Sequence, residues 1–253
     1  MAPVVGESDV MPSDPPVLAL RGVHKTFDDG TPVHAVRDVT FTLGPGEFAA
    51  LRGPSGCGKT TLLALIAGLE TADGGEIIVN GLTVTGAPEG SRLELRRHHV
   101  GLLSADHRLL WGLSLLDNVA LAVTVAGAGR DAAEGRAHEL LDLVGVGEGW
   151  RSLPAQVTPG ERQRAALARA LANRPSVLLA DEPAGKLDSG GRRDLLDVLG
   201  RFHATGQSIL LATHDDEVAA AASCVISMRD GCLDERDVPQ LLTEPARHGR
   251  AAR

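Results

Sequence analysis

The sequence predicts an α/β fold built on an open, mostly parallel sheet, and three observations carry that prediction. Residues 53–61, GPSGCGKTT, stand between an apolar run suited to a strand (48–51) and an apolar run suited to a helix (62–69). That is the setting in which a glycine-rich loop cradles phosphate. Short apolar runs at 176–180 and 208–212 lack polar alternation, as strands do when a parallel sheet is covered on both faces. Helical segments at 162–172 and 192–202 alternate with those runs, the order expected of such a sheet.

Taken from the start, the first sixteen residues, MAPVVGESDVMPSDPP, carry acids and prolines but no basic region followed by an apolar one. They read as a loose leader rather than a signal peptide. Strands are expected at 17–20, 35–43 and 47–51, divided at Asp28-Asp29-Gly30 and Gly44-Pro45-Gly46, so an antiparallel β lead-in precedes the phosphate loop. After the Lys59 helix, Asp73-Gly74-Gly75 turns the chain into a strand at 76–80 that Gly81 closes. From about 88 to 149 the pattern becomes helical, with runs at 92–98, 115–125 and 130–144 between glycine-containing breaks. This reads as a helical insertion, after which the sheet resumes. The expected division is a core of 17–90 and 161–238, a helical subdomain of 91–160, and a flexible tail of 239–253.

A chain of 253 residues buries a large core without needing a second independent domain. Its formal charge of −8 argues against nucleic acid as a partner. The apolar stretches 62–69 and 119–128 fall short of the roughly 20 residues that cross a bilayer, so a cytoplasmic chain, soluble or peripheral, is expected. Cys57, Cys224 and Cys232 form no C-x-x-C pair and read as reduced thiols. With no tyrosine and only four phenylalanines, the core must be aliphatic.

The chemistry concentrates at two strand ends. Gly53, Ser55, Gly56 and Gly58 let backbone approach phosphate, Lys59 aims at the terminal phosphates, and the Thr60 hydroxyl, followed by Thr61, is free for Mg²⁺. The helix that follows adds its positive end. Asp181 and Glu182 close the run 176–180, at the carboxyl edge where open α/β sheets bind their ligands. Asp181 suits the Mg²⁺ shell, and Glu182 suits the polarising of a water in line with the terminal phosphate.

Three stretches, GPSGCGKT, QVTPGERQRAALARALANRPSVLLADEPAGKLDS and LLATHDDE, together resemble the ATP-binding subunit of ABC transporters over about 17–235. VHAVRDVTFTLGPGEFAALRGPSG and DNVALAV are similar to its lipoprotein-releasing, macrolide-exporting and cell-division type. The resemblance implies a P-loop NTPase core, ATP and Mg²⁺ as cofactors, and ATP hydrolysis. It also implies a homodimer or heterodimer of ATPase subunits and a separate membrane permease docked on 92–149, which would hold the chain peripherally on the inner membrane face. Residue by residue, it puts Phe27 against adenine and Asp188 in the loop that crosses the dimer. His214 becomes the switch histidine, and Thr158 and Gly160 belong to the signature that covers the partner's phosphates.

The chain departs from that family pattern in two places. Its signature reads VTPGE, where Pro159 removes a backbone N–H and Glu161 adds charge. The same residues make a T-x-x-E capping box with proline at the first helical position, and Glu161 is compatible with a bound phosphate only if it turns back onto that cap. In VGLLSADHRLL, Ala105 stands where the family has a glutamine, and alanine neither ligates Mg²⁺ nor orients water. Asp106 is one residue on, with shorter reach and, along a strand, on the other face. Ala184 and Lys186 also differ from the commoner Thr and Asn. A degenerate or regulatory subunit is therefore the alternative, but Lys59, Thr60, Asp181, Glu182 and His214 all remain, which favours hydrolysis. A soluble ABC ATPase of DNA or translation would show a long coiled coil, a duplicated cassette or a basic face, and the sequence shows none.

Overall fold

In the computed structural model, which describes residues 15–28, 30–104, 106–234 and 236, the lead-in strands and the parallel strands form two sheets. The leader up to residue 14, the tail from 237, and Asp29, Ala105 and Glu235 lie outside the described residues. In chain order the elements begin β1 (Leu18–Asp28), β2 (Pro32–Leu43), β3 (Phe48–Arg52), α1 (Lys59–Ile66), β4 (Gly74–Val79) and β5 (Leu82–Thr83). They continue with α2 (Glu89–His98), β6 (Val100–Ser104), α3 (Leu115–Val125), α4 (Arg130–Leu143), α5 (Pro159–Ala170) and β7 (Val177–Asp181). The chain closes with α6 (Ser189–Ala204), β8 (Ser208–Thr213), α7 (Asp216–Ala219), β9 (Cys224–Arg229) and β10 (Cys232–Leu233).

The smaller sheet is antiparallel in the order β2-β1-β4-β5, and the larger runs β10-β9-β3-β8-β7-β6. Every neighbouring pair in the larger sheet is parallel except β9 with β10. Alternation along each parallel strand divides the apolar side chains between two cores. Ala49 and Leu51 of β3, Leu179 of β7 and Leu210 of β8 join α1 and the small sheet. Ala50, Leu178, Ala180, Ile209 and Leu211 join α3 to α6 on the other face.

Several elements differ from expectation. β1 runs on to Asp28 through the polar residues His24, Lys25 and Thr26, because β2 and β4 pair with it on its two sides. α1 starts at Lys59, as the Lys59 helix was expected to, but ends at Ile66, short of the end of the apolar run at 69. β6 lies within the stretch expected to be helical, yet pairs with β7 and belongs to the large sheet. β9 and β10 were not expected; their hairpin turns through Asp230 (φ 50°) and Gly231 (φ 82°), the pair of left-handed residues that tight hairpins use. Because β3, β7 and β8 are parallel, the loops that follow them open at one edge of the sheet.

Candidate functional site

The phosphate loop is shaped by glycines that no other residue could replace. A Cβ on Gly53 would lie 2.1 Å from the Met228 carbonyl oxygen, and one on Gly58 would lie 2.0 Å from that of Ala35. Gly58 also has φ 109° and is the residue from which α1 starts; only glycine takes this backbone at this closeness. Lys59 is buried, with Nζ donating to the carbonyls of Gly53 (2.7 Å) and Pro54 (3.1 Å). The same ammonium lies 3.6 Å from Glu182 Oε1. Cys57 is buried within the loop, and no disulfide joins Cys57, Cys224 and Cys232.

β7 delivers the two carboxylates side by side. Thr60 Oγ1 donates to Asp181 Oδ1 at 3.1 Å, and burial raises the Asp181 pKa above the usual carboxylate value despite that bond. A hydroxyl and a carboxylate in contact are the hard oxygen donors that suit Mg²⁺, an ion that takes its remaining ligands from phosphates and water. Glu182 adopts φ 45°, a left-handed backbone that costs a residue with a Cβ roughly 1 kcal/mol, and its N–H donates to the Ala212 carbonyl at 2.8 Å. Its carboxylate is ringed: Thr213 Oγ1 donates at 3.3 Å, and His214 Nδ1 lies 2.9 Å away. Strain held in place by a ring of donors at a strand end points to function.

Beside these groups opens a cavity of about 700 Å³, lined by Ser55, Gly56, Gly58, Lys59, Thr60, Thr61, Glu182 and, across from them, Phe27. Phe27 is 37% exposed, with Lys25 Nζ 5.1 Å from its ring centroid. The cavity thus has an aromatic face at one end and phosphate donors at the other.

A family model described as ABC transporter matches residues 36–185. The chain belongs to the ABC transporter family. It is 42% identical to the lipoprotein-releasing system ATP-binding protein LolD of Ruegeria sp. (strain TM1040), over 87% of this chain and 98% of that one. It is 39% identical to the macrolide export ATP-binding/permease protein MacB of Rhodospirillum rubrum, over 87% of this chain but only 34% of that one. It therefore spans about a third of the macrolide-export relative. Among solved structures, the dimeric ATP-binding cassette MJ0796 bound to ADP and Pi matches with a TM-score of 0.80 and 30% identity, covering 86% of this chain and 96% of that one. The mixed sheets and loops described above are those of an ABC ATPase cassette, so the chain is an ATP-binding subunit of the ABC ATPase class.

Thr158, Gly160 and Asp188 do not line the nucleotide cavity of their own chain. Thr158 caps α5 and Asp188 caps α6, whose Gly191 N–H it accepts at 2.7 Å. The VTPGE segment forms the full capping box. Glu161 turns back so that its Oε2 accepts from the N–H and the hydroxyl of Thr158, both at 2.8 Å. The Thr158 N–H, and after it the hydroxyl, hold the Glu161 carboxyl below its usual pKa. Glu161 thus meets the condition under which its charge is compatible with a phosphate.

Ala105 lies outside the described residues. Asp106 does not turn toward the phosphate loop: it is exposed and forms an ion pair with Lys186, another departure from the family pattern. The next two residues, His107 (φ 59°) and Arg108 (φ 48°), are both left-handed. The Arg169 guanidinium forks onto their carbonyl oxygens at 2.7 and 2.5 Å, and His107 hydrogen-bonds the fully buried Gln163. Buried Asn118 then ties down the following turn, donating to the carbonyls of Leu110, Leu113 and Ser114 and accepting from Leu110 N–H. Sequence reasoning missed Arg169, Gln163 and Asn118. For Gln163 and Asn118 the available signal was a polar residue at a core position of its helix, which asks for a partner.

Proposed function

We propose that this chain is the ATP-hydrolysing motor of an export-type ABC transporter, closing as a dimer on ATP to drive a separate membrane permease. The observation that carries the reading is the convergence of Lys59, at 3.6 Å, and His214, at 2.9 Å, on the Glu182 carboxylate beside the Thr60–Asp181 pair. Lys59 would leave Glu182 for the terminal phosphates, freeing its carboxylate to accept a proton from the attacking water. His214 keeps the carboxylate oriented and offers a hydrogen bond to the γ-phosphate, and Phe27 stacks on the adenine. Thr60 and Asp181 would hold Mg²⁺, which when bound neutralises phosphate charge. Thr158 and Gly160, with Asp188, serve the nucleotide of the second subunit, which agrees with their absence from the cavity of their own chain.

The core then comprises 17–90 and 161–238, with a helical subdomain of 91–160 that includes the β6 edge strand of the main sheet. Permease docking fits the turn before α3, where Trp111 is 62% and Leu110 49% exposed, a pair of large apolar side chains of the kind that anchor interfaces. Among the described residues no helix is long and apolar enough to cross a membrane; attachment at the inner face would come through the permease. The near full-length match to a lipoprotein-releasing ATP-binding protein favours a cassette separate from its permease.

A regulatory subunit with little turnover is the second reading, favoured by Ala105 and Pro159. Mg²⁺-dependent ATP hydrolysis by the purified chain, alone and with a co-purified membrane partner, separates the two, with Glu182→Gln as the blank. Turnover above that blank supports the motor. Tight ATP binding without turnover in both settings supports the regulatory subunit.

A further inference from the structure

A second cavity, of about 630 Å³, opens at the opposite edge of the large sheet, at Ser176 just before β7 and at Ser208, where β8 begins. That volume is typical of small-molecule sites, roughly 300–1,000 Å³. Its floor is apolar, with Leu171 from the end of α5 and Phe202 from α6, and Pro175 at one wall. Arg136 of α4, Arg174, and Arg201 of α6 also line it, and among the described residues no Asp or Glu does. In a chain of net charge −8, three arginines on one cavity, of which only Arg136 is in an ion pair, with Glu139, form a local reversal of sign.

The three arginines are not equally engaged. Arg136 donates to the Ala172 carbonyl and to Glu139. Among the described residues, neither Arg174 nor Arg201 has a side-chain hydrogen bond or ion pair. Arg174 is also held left-handed, at φ 50°, on the turn between α5 and β7. Two free guanidinium forks over an apolar floor match an anion that offers two coplanar oxygens and carries an apolar body.

We propose that this cavity is a binding site for a small amphipathic anion, a carboxylate or phosphate monoester on an aliphatic or aromatic body. Its head would lie between Arg174 and Arg201 and its body on Leu171 and Phe202. Because the walls come from α4, α5, α6 and the large sheet, a bound anion ties the helical region to the sheet at a distance from the nucleotide.

The test uses the full chain with ADP saturating the nucleotide cavity, and 8-anilinonaphthalene-1-sulfonate as a fluorescent amphipathic anion. One saturable site per chain is expected, displaced by decanoate and by decyl phosphate but not by uncharged 1-decanol. Arg174→Glu with Arg201→Glu should weaken the probe at least about tenfold, equivalent to about 1.4 kcal/mol. Thr205→Trp, which fills the cavity without altering its charge, should do the same while both variants keep the parent's circular dichroism and melting temperature. If charge reversal misfolds the chain, Arg174→Gln with Arg201→Gln takes its place. Probe binding indifferent to both changes, equal displacement by decanol, or no saturable binding overturns the proposal. The readout does not involve hydrolysis, so a negative ATPase result leaves it standing.

Discussion

The phosphate loop and the turn after β6 both hold unusual backbone near the same sheet edge, but they hold it by opposite means. In the phosphate loop the strained positions are glycines, and the crowding is with backbone atoms of Ala35 and Met228. In the turn, His107 and Arg108 carry side chains at left-handed angles, and the conformation is imposed from outside by Arg169, Gln163 and Asn118. One shape is written into adjacent residues. The other depends on helices α3 and α5 arriving in place, so changes should be severe and local in the first and graded in the second.

The largest effect should come from Gly58→Ala. Its Cβ would meet the Ala35 carbonyl oxygen at 2.0 Å, at a φ of 109°, and neither atom is the end of a flexible side chain that could yield. ATP affinity measured by equilibrium titration should fall more than about 100-fold, a loss of about 3 kcal/mol consistent with strain at such sites. Retained affinity would show that the loop rebuilds itself and that its glycines are not the determinant. Next, Glu182→Gln should leave ATP affinity within about threefold of the parent and lower turnover at least about 100-fold, as loss of a general base does. Unchanged turnover would remove Glu182 from the chemistry.

That contrast also explains which parts of the molecule could be read in advance. Residues 53–61 and the Asp181-Glu182 pair were legible because their form and chemistry reside in neighbouring residues. The same holds for the T-x-x-E box at Thr158. The latter half of β1 was not, since His24, Lys25 and Thr26 are polar and extend because His24 pairs with β4 and Lys25 and Thr26 pair with β2. β6 showed only through the family pattern, which ends a strand at the position of Ala105, because its five residues, VGLLS, give too short an apolar run to separate from a helical turn. β9 and β10 left a usable trace in Asp230-Gly231, and Asn118 left one as a polar residue at a core position of α3, whereas Arg169 looks in sequence like any polar helix residue.

Arg169 is where the external support can be removed. It is half-buried, its pKa lowered by desolvation, and its two donors serve carbonyls that have no helix or strand partner among the described residues. Arg169→Met should destabilise the fold by about 1.5 kcal/mol in urea unfolding, the low end for hydrogen bonds from a charged donor, because the acceptors are only partly shielded from water. ATP affinity should stay within about threefold, because the phosphate loop does not rest on this turn. A large loss of affinity would mean that the two regions are not separable.

Thr158→Ala should cost about 1 kcal/mol, the usual worth of an N-cap. The sign with pH follows from Glu161, whose carboxyl is held below its usual value by the Thr158 N–H and hydroxyl. A lowered pKa means the stabilisation is fully present above the ordinary carboxylate range and is lost as pH falls through the lowered value. The Thr158→Ala penalty should therefore be constant from pH 6 to 8 and shrink in acid. A penalty that grows in acid would show that Glu161 is not bound to the cap.

The smallest effect should belong to Asp106 and Lys186, although they form an ion pair. Their side chains are 74% and 60% exposed, so water and salt compete with the contact and its net worth is small. Lys186 draws the Asp106 pKa down, chiefly through the hydrogen bond between them, yet the turn is already fixed by Arg169 and Asn118. Asp106→Asn should change turnover and stability by less than about twofold at 0.15 M salt, and the residual difference should vanish at 1 M. A tenfold loss of turnover that salt reproduces in the parent would give the pair a different weight. It would mean that this exposed contact, and not the half-buried fork of Arg169, holds the turn against the loop carrying Asp188.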